Sequence, residues 1–445
     1  MRNEKANAPK RVYLLNLGCS KNQVDAEHLL AEFAAAGVRR AEEPADADLL
    51  VVNTCGFIDS AKEESIQEIL RLAKGRSAGQ KIVVAGCLSQ RYGEALRESL
   101  PEADVMVGTY NRGELLRQLG LKPRAKGCSG RIVLDGLPHH AYLKVAEGCQ
   151  RHCAYCAIPL IRGPQKSLSP AEIVEEALRL QKSGARELSL VAQDLTYYGR
   201  EKGGPGSTLE ELVRLLLRET DVDWLRLCYA YPAFVTPGLL ELMATEKRVC
   251  KYLDMPIQHG SDAMLRAMDR GHTRRGLLAM LRRIRRSVPE IALRTTLLLG
   301  FPGETEDDVR ELLDLMEEVR FDRLGCFTYS EEEGTPAARS KAPRVDPDVA
   351  ARRAERVMRL QEEISLERNE ALVGSEQTVL VDSVDDSGTA HFLARTQWDA
   401  PEVDDQVRVV EGSAKPGEFY RVKIVGAEAY DLDATILSKI APRSL

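Results

Sequence analysis

Three cysteines close three short apolar runs, and that repetition constrains the fold of this 445-residue chain more than any other feature. Cys19 follows Val12-Tyr-Leu-Leu-Asn-Leu-Gly18, Cys55 follows Asp48-Leu-Leu-Val-Val-Asn-Thr54, and Cys87 follows Lys81-Ile-Val-Val-Ala-Gly86. Each run is β-prone and apolar on both faces, as buried parallel strands are. Helical sequence follows each, over 25–36, 60–74 and 89–100. The steps from 19 to 55 and from 55 to 87 are 36 and 32 residues, about one βαβ unit each. A doubly wound parallel sheet gathers its strand C-termini on one edge, where ligands bind. Three cysteines at three such ends therefore converge. The plainer reading is three separate core cysteines, since Cys packs well as a small buried residue; their equivalent positions favour a three-thiol site.

A second triplet is compact: Cys149-Gln-Arg-His-Cys153-Ala-Tyr-Cys156. Thiolates are the usual ligands of iron–sulfur clusters. A 4Fe–4S cube held by three of them keeps one iron open to a small molecule, as an open catalytic zinc site does. Zinc sites favour paired C-x2-C or His ligands, so this C-x3-C-x2-C spacing points to iron first. Of the other cysteines, Cys128, Cys228, Cys250 and Cys326 read as free thiols.

Around this loop a new alternation starts. Strands are expected at 141–145, 187–193, 224–230, 252–257, 292–300 and 324–329, separated by amphipathic helices. The clearest helix spans 170–182, with Ser169 as N-cap, Pro170 at its first position and Gly184 near its end. Six βα repeats predict an open, partial (β/α)6 barrel of TIM type, with active residues at strand C-termini and in the loops that follow. The Cys149–Cys156 loop follows the first strand, as that geometry requires. Gln193 and Asp194 end the second strand, Gln258 the fourth, and Arg294 lies on the fifth; all four are candidate cofactor contacts. Gly300-Phe-Pro-Gly303-Glu304 ends the fifth, and also reads as a Pro-Gly turn before a helix capped by Thr305 with Asp308. The arginine-rich stretch 274–286 is an outer barrel helix rather than an RNA patch, because Leu277, Leu278, Leu281 and Ile284 recur at helical spacing. A charged helix over 347–369 precedes five short alternating strands, at 376–382, 391–395, 406–410, 419–425 and 433–437, which predict a small antiparallel β-barrel of OB type. The expected modules are 1–122, a connector at 123–138, 139–370 and 371–445.

The whole chain carries 68 acidic and 62 basic residues. Residues 371–445 hold 13 acids and 7 bases, so all the excess negative charge lies in the last module. That sign repels phosphates and suits a basic protein partner. No apolar stretch is long enough for a membrane span, and the polar first ten residues do not read as a signal peptide. Ten cysteines without an export signal suit a reducing cytoplasm.

These residues together resemble the methylthiotransferases, a family of radical S-adenosylmethionine (SAM) enzymes. The resemblance covers essentially the whole chain: a cluster-bearing N-terminal domain, a radical SAM core and a C-terminal TRAM barrel. Gly18-Cys19-Ser-Lys-Asn-Gln-Val-Asp25, Asn53-Thr-Cys55-Gly-Phe-Ile58, Glu147-Gly-Cys149, Arg162-Gly-Pro-Gln-Lys166 and Cys326-Phe-Thr-Tyr-Ser-Glu-Glu-Glu-Gly-Thr-Pro336 are similar to the branch that modifies an aspartate β-carbon in small-subunit ribosomal protein S-twelve. Ser20 stands where that branch commonly has proline. The resemblance implies two 4Fe–4S clusters. Cys149, Cys153 and Cys156 would hold the one that cleaves SAM to a 5′-deoxyadenosyl radical; Cys19, Cys55 and Cys87 would hold an auxiliary cluster carrying the sulfur. It also implies a second SAM as methyl donor, a SAM loop at Gly300 and Gly303, and an external electron donor such as flavodoxin or ferredoxin. Tyr155 would shield iron, stack on adenine or simply pack. Two rivals remain: a tRNA adenosine methylthiotransferase, which would want a basic TRAM face, and a non-catalytic metal-stabilised binding protein, which would want closed four-ligand sites.

Overall fold

The computed structural model describes residues 9–109, 111–123, 130–134 and 136–441. The chain forms two compact units, and the division does not follow sequence order. The first comprises residues up to 135 together with Cys156–Pro164 and Ser330–Gly334; the second holds the remainder. Part of the expected connector, with Cys128, lies outside the described residues.

In the first unit five parallel strands run in the order β2-β1-β3-β4-β5: β1 Arg11–Asn16, β2 Arg39–Arg40, β3 Leu49–Thr54, β4 Lys81–Gly86 and β5 Val105–Met106. The three apolar runs are β1, β3 and β4, adjacent in the sheet. Val51, Val52, Val83 and Val84 are fully buried, because helices cover both faces. The helices begin closer to the cysteines than their periodicity suggested: Ser20–Ala35 starts directly after Cys19, and Cys87–Ser99 starts on Cys87 itself. Ser20 is the first helical residue, a position that proline also suits.

The second unit contains the six expected barrel strands, all parallel, in an open sheet of order β13-β12-β11-β10-β9-β6. They are β6 His140–Lys144, β9 Glu187–Val191, β10 Trp224–Leu227, β11 Val249–Asp254, β12 Ala292–Leu299 and β13 Arg323–Thr328; the small pair β7 Ala146–Glu147 and β8 Lys166–Ser167 flanks the cysteine loop. The 170–182 helix closes with the capping box read from its sequence, Ser169 with Glu172, and Thr305 caps the Glu306–Val319 helix with Asp308 in the same way. Helix Arg274–Ser287 buries Leu277, Leu281 and Ile284, as an outer barrel helix should. None of the helices among the described residues is long and apolar enough to cross a membrane.

Strand alternation gives the sheet two chemically distinct faces. Leu188, Leu190, Leu225, Leu227, Leu253, Leu293, Leu297 and Leu299 form one face and are buried. The other face, which is the barrel lumen, carries His140, Tyr142, Lys144, Glu187, Ser189, Arg226, Tyr252, Asp254 and Arg294, brought into line by pairings such as His140 with Glu187 and Asp254 with Arg294.

The C-terminal strands β14 Glu376–Val384, β15 Phe392–Thr396, β16 Val407–Glu411, β17 Phe419–Ala427 and β18 Leu432–Lys439 close into a barrel. It departs from a purely antiparallel one at a single seam, where β16 and β18 pair in parallel. This barrel seals the N-terminal end of the lumen. Glu187 is fully buried and takes Arg226 Nε at 2.7 Å from β10 and the Arg395 guanidinium from β15. Arg323 meets Asp399 at 2.6 Å and Asp405 at 3.0 Å, Arg294 meets Asp404 at 3.0 Å, and His139 meets Asp382 at 2.7 Å. Trp224 packs edge-on against Phe419 at 4.8 Å. Four of the module's acids are thus spent on the radical SAM barrel rather than on solvent.

Burial alone would raise the Glu187 pKa, but Arg226 and Arg395 hold it at about 2 against an ordinary 4.5. A depressed carboxylate contributes stability above its unfolded pKa and loses it as pH falls toward the folded one. Glu187→Gln should therefore destabilise this unit by about 3–5 kcal/mol, because Arg226 loses its carboxylate and Arg395 keeps only Asp382. Thermal melts between pH 7 and pH 2.5 should show the gap between wild type and variant narrowing only below about pH 4.5.

Candidate functional site

The parallel register sets the ends of β1, β3 and β4 level: Asn16 lies opposite Asn53, and Thr54 opposite Gly86. The residues just past those ends therefore meet. A Cβ built on Gly18 would lie 3.1 Å from Cys55 Cβ and 3.4 Å from its sulfur. Burial pushes the Cys55 thiol up, and Cys19 adds to the effect. Burial likewise pushes Cys87 up to about 12; Arg162 opposes this, while Cys19 and Cys55 reinforce it. The three thiols thus form one electrostatic group.

Arg162 is the buried cation of that group. Its Nη2 donates to Cys87 Sγ at 3.1 Å and to Asn22 at 2.5 Å, and its Nη1 meets Asp25 at 2.7 Å. It ends the short helix Ile158–Arg162, whose Ile161 packs on Cys87 together with Ala157. Ala157 immediately follows Cys156. The peptide that completes the second cysteine triplet is therefore laid directly on a member of the first.

Cys149 and Cys153 sit past the end of β6, in the loop framed by β7 and β8. Burial raises the Cys149 thiol to about 11. Its sulfur accepts the Arg151 backbone N–H at 3.4 Å, and Cys153 Sγ accepts Arg270 Nη1 at 3.2 Å. Both arginines stack on Tyr231, with guanidinium carbons 4.1 and 4.7 Å from the ring centre. Arg151 also lies over Phe234 and pairs with Asp194 at 2.7 Å. Tyr155 accepts from Arg270 and packs with Met264, Met268 and Phe301. Sequence periodicity offers no sign of Arg162, Arg270 or Tyr231. They lie 75, 117 and 82 residues from Cys87, Cys153 and Cys149, and only the folded chain joins them.

The other site candidates divide. Gln193 lies beyond β9 and donates to Glu147 at 3.1 Å. Gln258 has a left-handed backbone (φ 73°) and bridges to Leu297. Gly300 and Gly303 both need positive φ, at 77° and 86°. Asp194 is committed to Arg151 and to Thr196. Arg294 departs furthest from expectation. It sits near the N-terminal end of β12, paired to Asp254 and Asp404, so it serves the seam with the C-terminal barrel.

Residues 11–108 match the uncharacterized protein family UPF0004, residues 143–316 the radical SAM superfamily and residues 373–437 the TRAM domain. The ribosomal protein uS12 methylthiotransferase RimO of Chloroherpeton thalassium is 44% identical over 96% of this chain and 98% of its own length. The proteins of that name from an Anaeromyxobacter species and from Porphyromonas gingivalis are 45% and 44% identical, over 98% and 96% of this chain and 95% and 99% of theirs. The chain belongs to the RimO family. It is a radical SAM methylthiotransferase, and its cofactors are SAM and two 4Fe–4S clusters. Among solved structures, the radical SAM methyltransferase TsrM of Kitasatospora setae, with cobalamin and a 4Fe–4S cluster bound, shares the fold. The two align with a TM-score of 0.55 at 16% identity, over 74% of each chain.

The donor sets fit such clusters. Both triplets are all-sulfur, and each has a buried arginine on one sulfur. Among the described residues no three His, Cys, Asp or Glu side chains close on a single ion; a cube gives each thiolate its own iron and so spreads its ligands farther apart.

A Cβ on Gly300 would lie 2.5 Å from Ala350 Cβ, whereas one on Gly303 would lie 3.3 Å from Ala342 Cβ. Both substitutions incur backbone strain, but only the first also collides with a packed helix. In thermal melts of the apo-protein Gly300→Ala should cost about 2–4 kcal/mol and Gly303→Ala about 1–2 kcal/mol.

Proposed function

We propose that this chain adds a methylthio group to the β-carbon of an aspartate in ribosomal protein uS12, with Cys149, Cys153 and Cys156 holding the SAM-cleaving cluster and Cys19, Cys55 and Cys87 the auxiliary one. The observation that carries this reading is the seat of Ala157 and Arg162 on Cys87, which ties the peptide leaving one triplet to the other. Bound there, the cofactors supply one-electron cleavage of SAM, a sulfur atom and a methyl group.

The chain's own residues position and insulate. Arg270 and Arg162 each direct a charged donor at a ligand sulfur, which steadies its orientation. Tyr231, clamped between Arg151 and Arg270, fixes the loop that carries Cys149 and Cys153. Gln193, Gln258, Gly300 and Gly303 at the strand ends are the SAM contacts we favour. The modules correspond to 1–122, 139–370 and 371–445, joined by 123–138. A cytoplasmic flavodoxin or ferredoxin delivers the electron.

The TRAM barrel is the docking module for the basic substrate, although less acidic outside than its composition implies. With Asp382, Asp399, Asp404 and Asp405 turned toward the radical SAM barrel alongside Arg395, nine acids face six bases.

A competition reaction tests the substrate. Reconstituted enzyme, SAM, sulfide and reductant would meet a uS12 loop peptide and total tRNA together, read by mass spectrometry. A methylthio adduct on the peptide aspartate is expected; an adduct on tRNA alone overturns the reading. Cys55→Ala should still form 5′-deoxyadenosine but no methylthio product, and retained product would sink the assignment of the two triplets. In protein whose Cys149, Cys153 and Cys156 are all Ala, Arg162→Met should weaken iron retention about tenfold or more.

A further inference from the structure

An aspartate whose β-carbon reacts brings its carboxylate into the lumen, and a carboxylate leaving water needs a cation. The lumen's arginines are already committed. Arg226, Arg294 and Arg323 sit toward the sealed end, each against a carboxylate. At the C-terminal rim Arg151 is bound to Asp194, and Arg270 to Cys153 and the Pro256 carbonyl.

Lys144 is paired as well, to Glu147, but it stands at the open rim on a flexible stem. It is the last residue of β6, on the lumen face with His140 and Tyr142, five residues before Cys149. Its side chain is 13% exposed, and its Nζ lies 2.6 Å from Glu147 Oε2. The other oxygen of Glu147 accepts from Gln193 Nε2 at 3.1 Å. Lys144, Glu147 and Gln193 thus form a chain across the ends of the first two barrel strands.

We propose that Lys144 is the specificity-determining residue that binds the substrate aspartate carboxylate, a reading that rests on the aspartate substrate given above. An ammonium carries three donors on a four-carbon stem, so it serves Glu147 and a second carboxylate together. Glu147 keeps Lys144 turned into the lumen before substrate arrives, and Gln193 keeps Glu147 from following the ammonium. One ionic contact at the carboxylate fixes the neighbouring β-carbon and discriminates against asparagine, whose amide has the same shape but no charge.

The test uses reconstituted holoenzyme with SAM and no reductant, and fluorescent uS12 loop peptides bearing either Asp or Asn at the target position. Wild type should bind the Asp peptide at least about tenfold tighter than the Asn peptide. Lys144→Gln should lose that preference through weaker binding of the Asp peptide alone, and Lys144→Arg should restore part of it. Iron content and melting temperature confirm that each variant is folded and loaded. Two results overturn the proposal: a preference in Lys144→Gln equal to wild type, or equal weakening of both peptides, which marks a structural role. Failure of wild type to bind either peptide overturns the substrate reading, and this inference falls with it.

Discussion

Much of the second unit depends on one buried carboxylate. Glu187 stands at the foot of the lumen and neutralises Arg226 from its own sheet and Arg395 from the C-terminal barrel. A half-open parallel barrel lined by His140, Tyr142, Ser189, Asp254 and Arg294 cannot close its lower end with apolar side chains alone. Each polar group there needs a partner, and the C-terminal barrel brings those partners: Arg395 for Glu187, Asp404 for Arg294 and Tyr252, and Asp399 for Arg323. That barrel is therefore the floor of the lumen.

The fold was legible wherever local chemistry and tertiary context agree. The three cysteine-terminated strands, the six barrel strands, the Ser169 and Thr305 caps and the five terminal strands all follow from period, capping and turn residues. Five strands closing into a ring cannot all alternate in direction, so one parallel seam was implied; that it falls between β16 and β18 is set by the path of the connections. The charge of the last module was counted correctly, but composition cannot tell an acid facing a partner protein from one facing Arg323 of the same chain.

The site divided along the same line. Cysteines at strand ends announce themselves by position, whereas the residues that tune them do not. Arg162 lies in a motif that sequence inspection can single out, yet its partner Cys87 is reached only through the helix Ile158–Arg162. Arg294 pairs with Asp254 and Asp404 toward the N-terminal end of β12, away from the strand C-termini where the other candidates lie. That position was legible, because Arg294 is third in a strand expected at 292–300 and so stands at its start.

The seat of Ile161 and Ala157 on Cys87 bears on how the protein is assembled. Cys87 is only 6% exposed beneath them. An iron–sulfur carrier cannot reach that sulfur while the segment is docked. On the proposed assignment of Cys87, cluster delivery would precede the docking of Ile158–Arg162 or wait for that short helix to lift away. On that assignment, maturation of the N-terminal site and closure of the chain around it would form an ordered sequence.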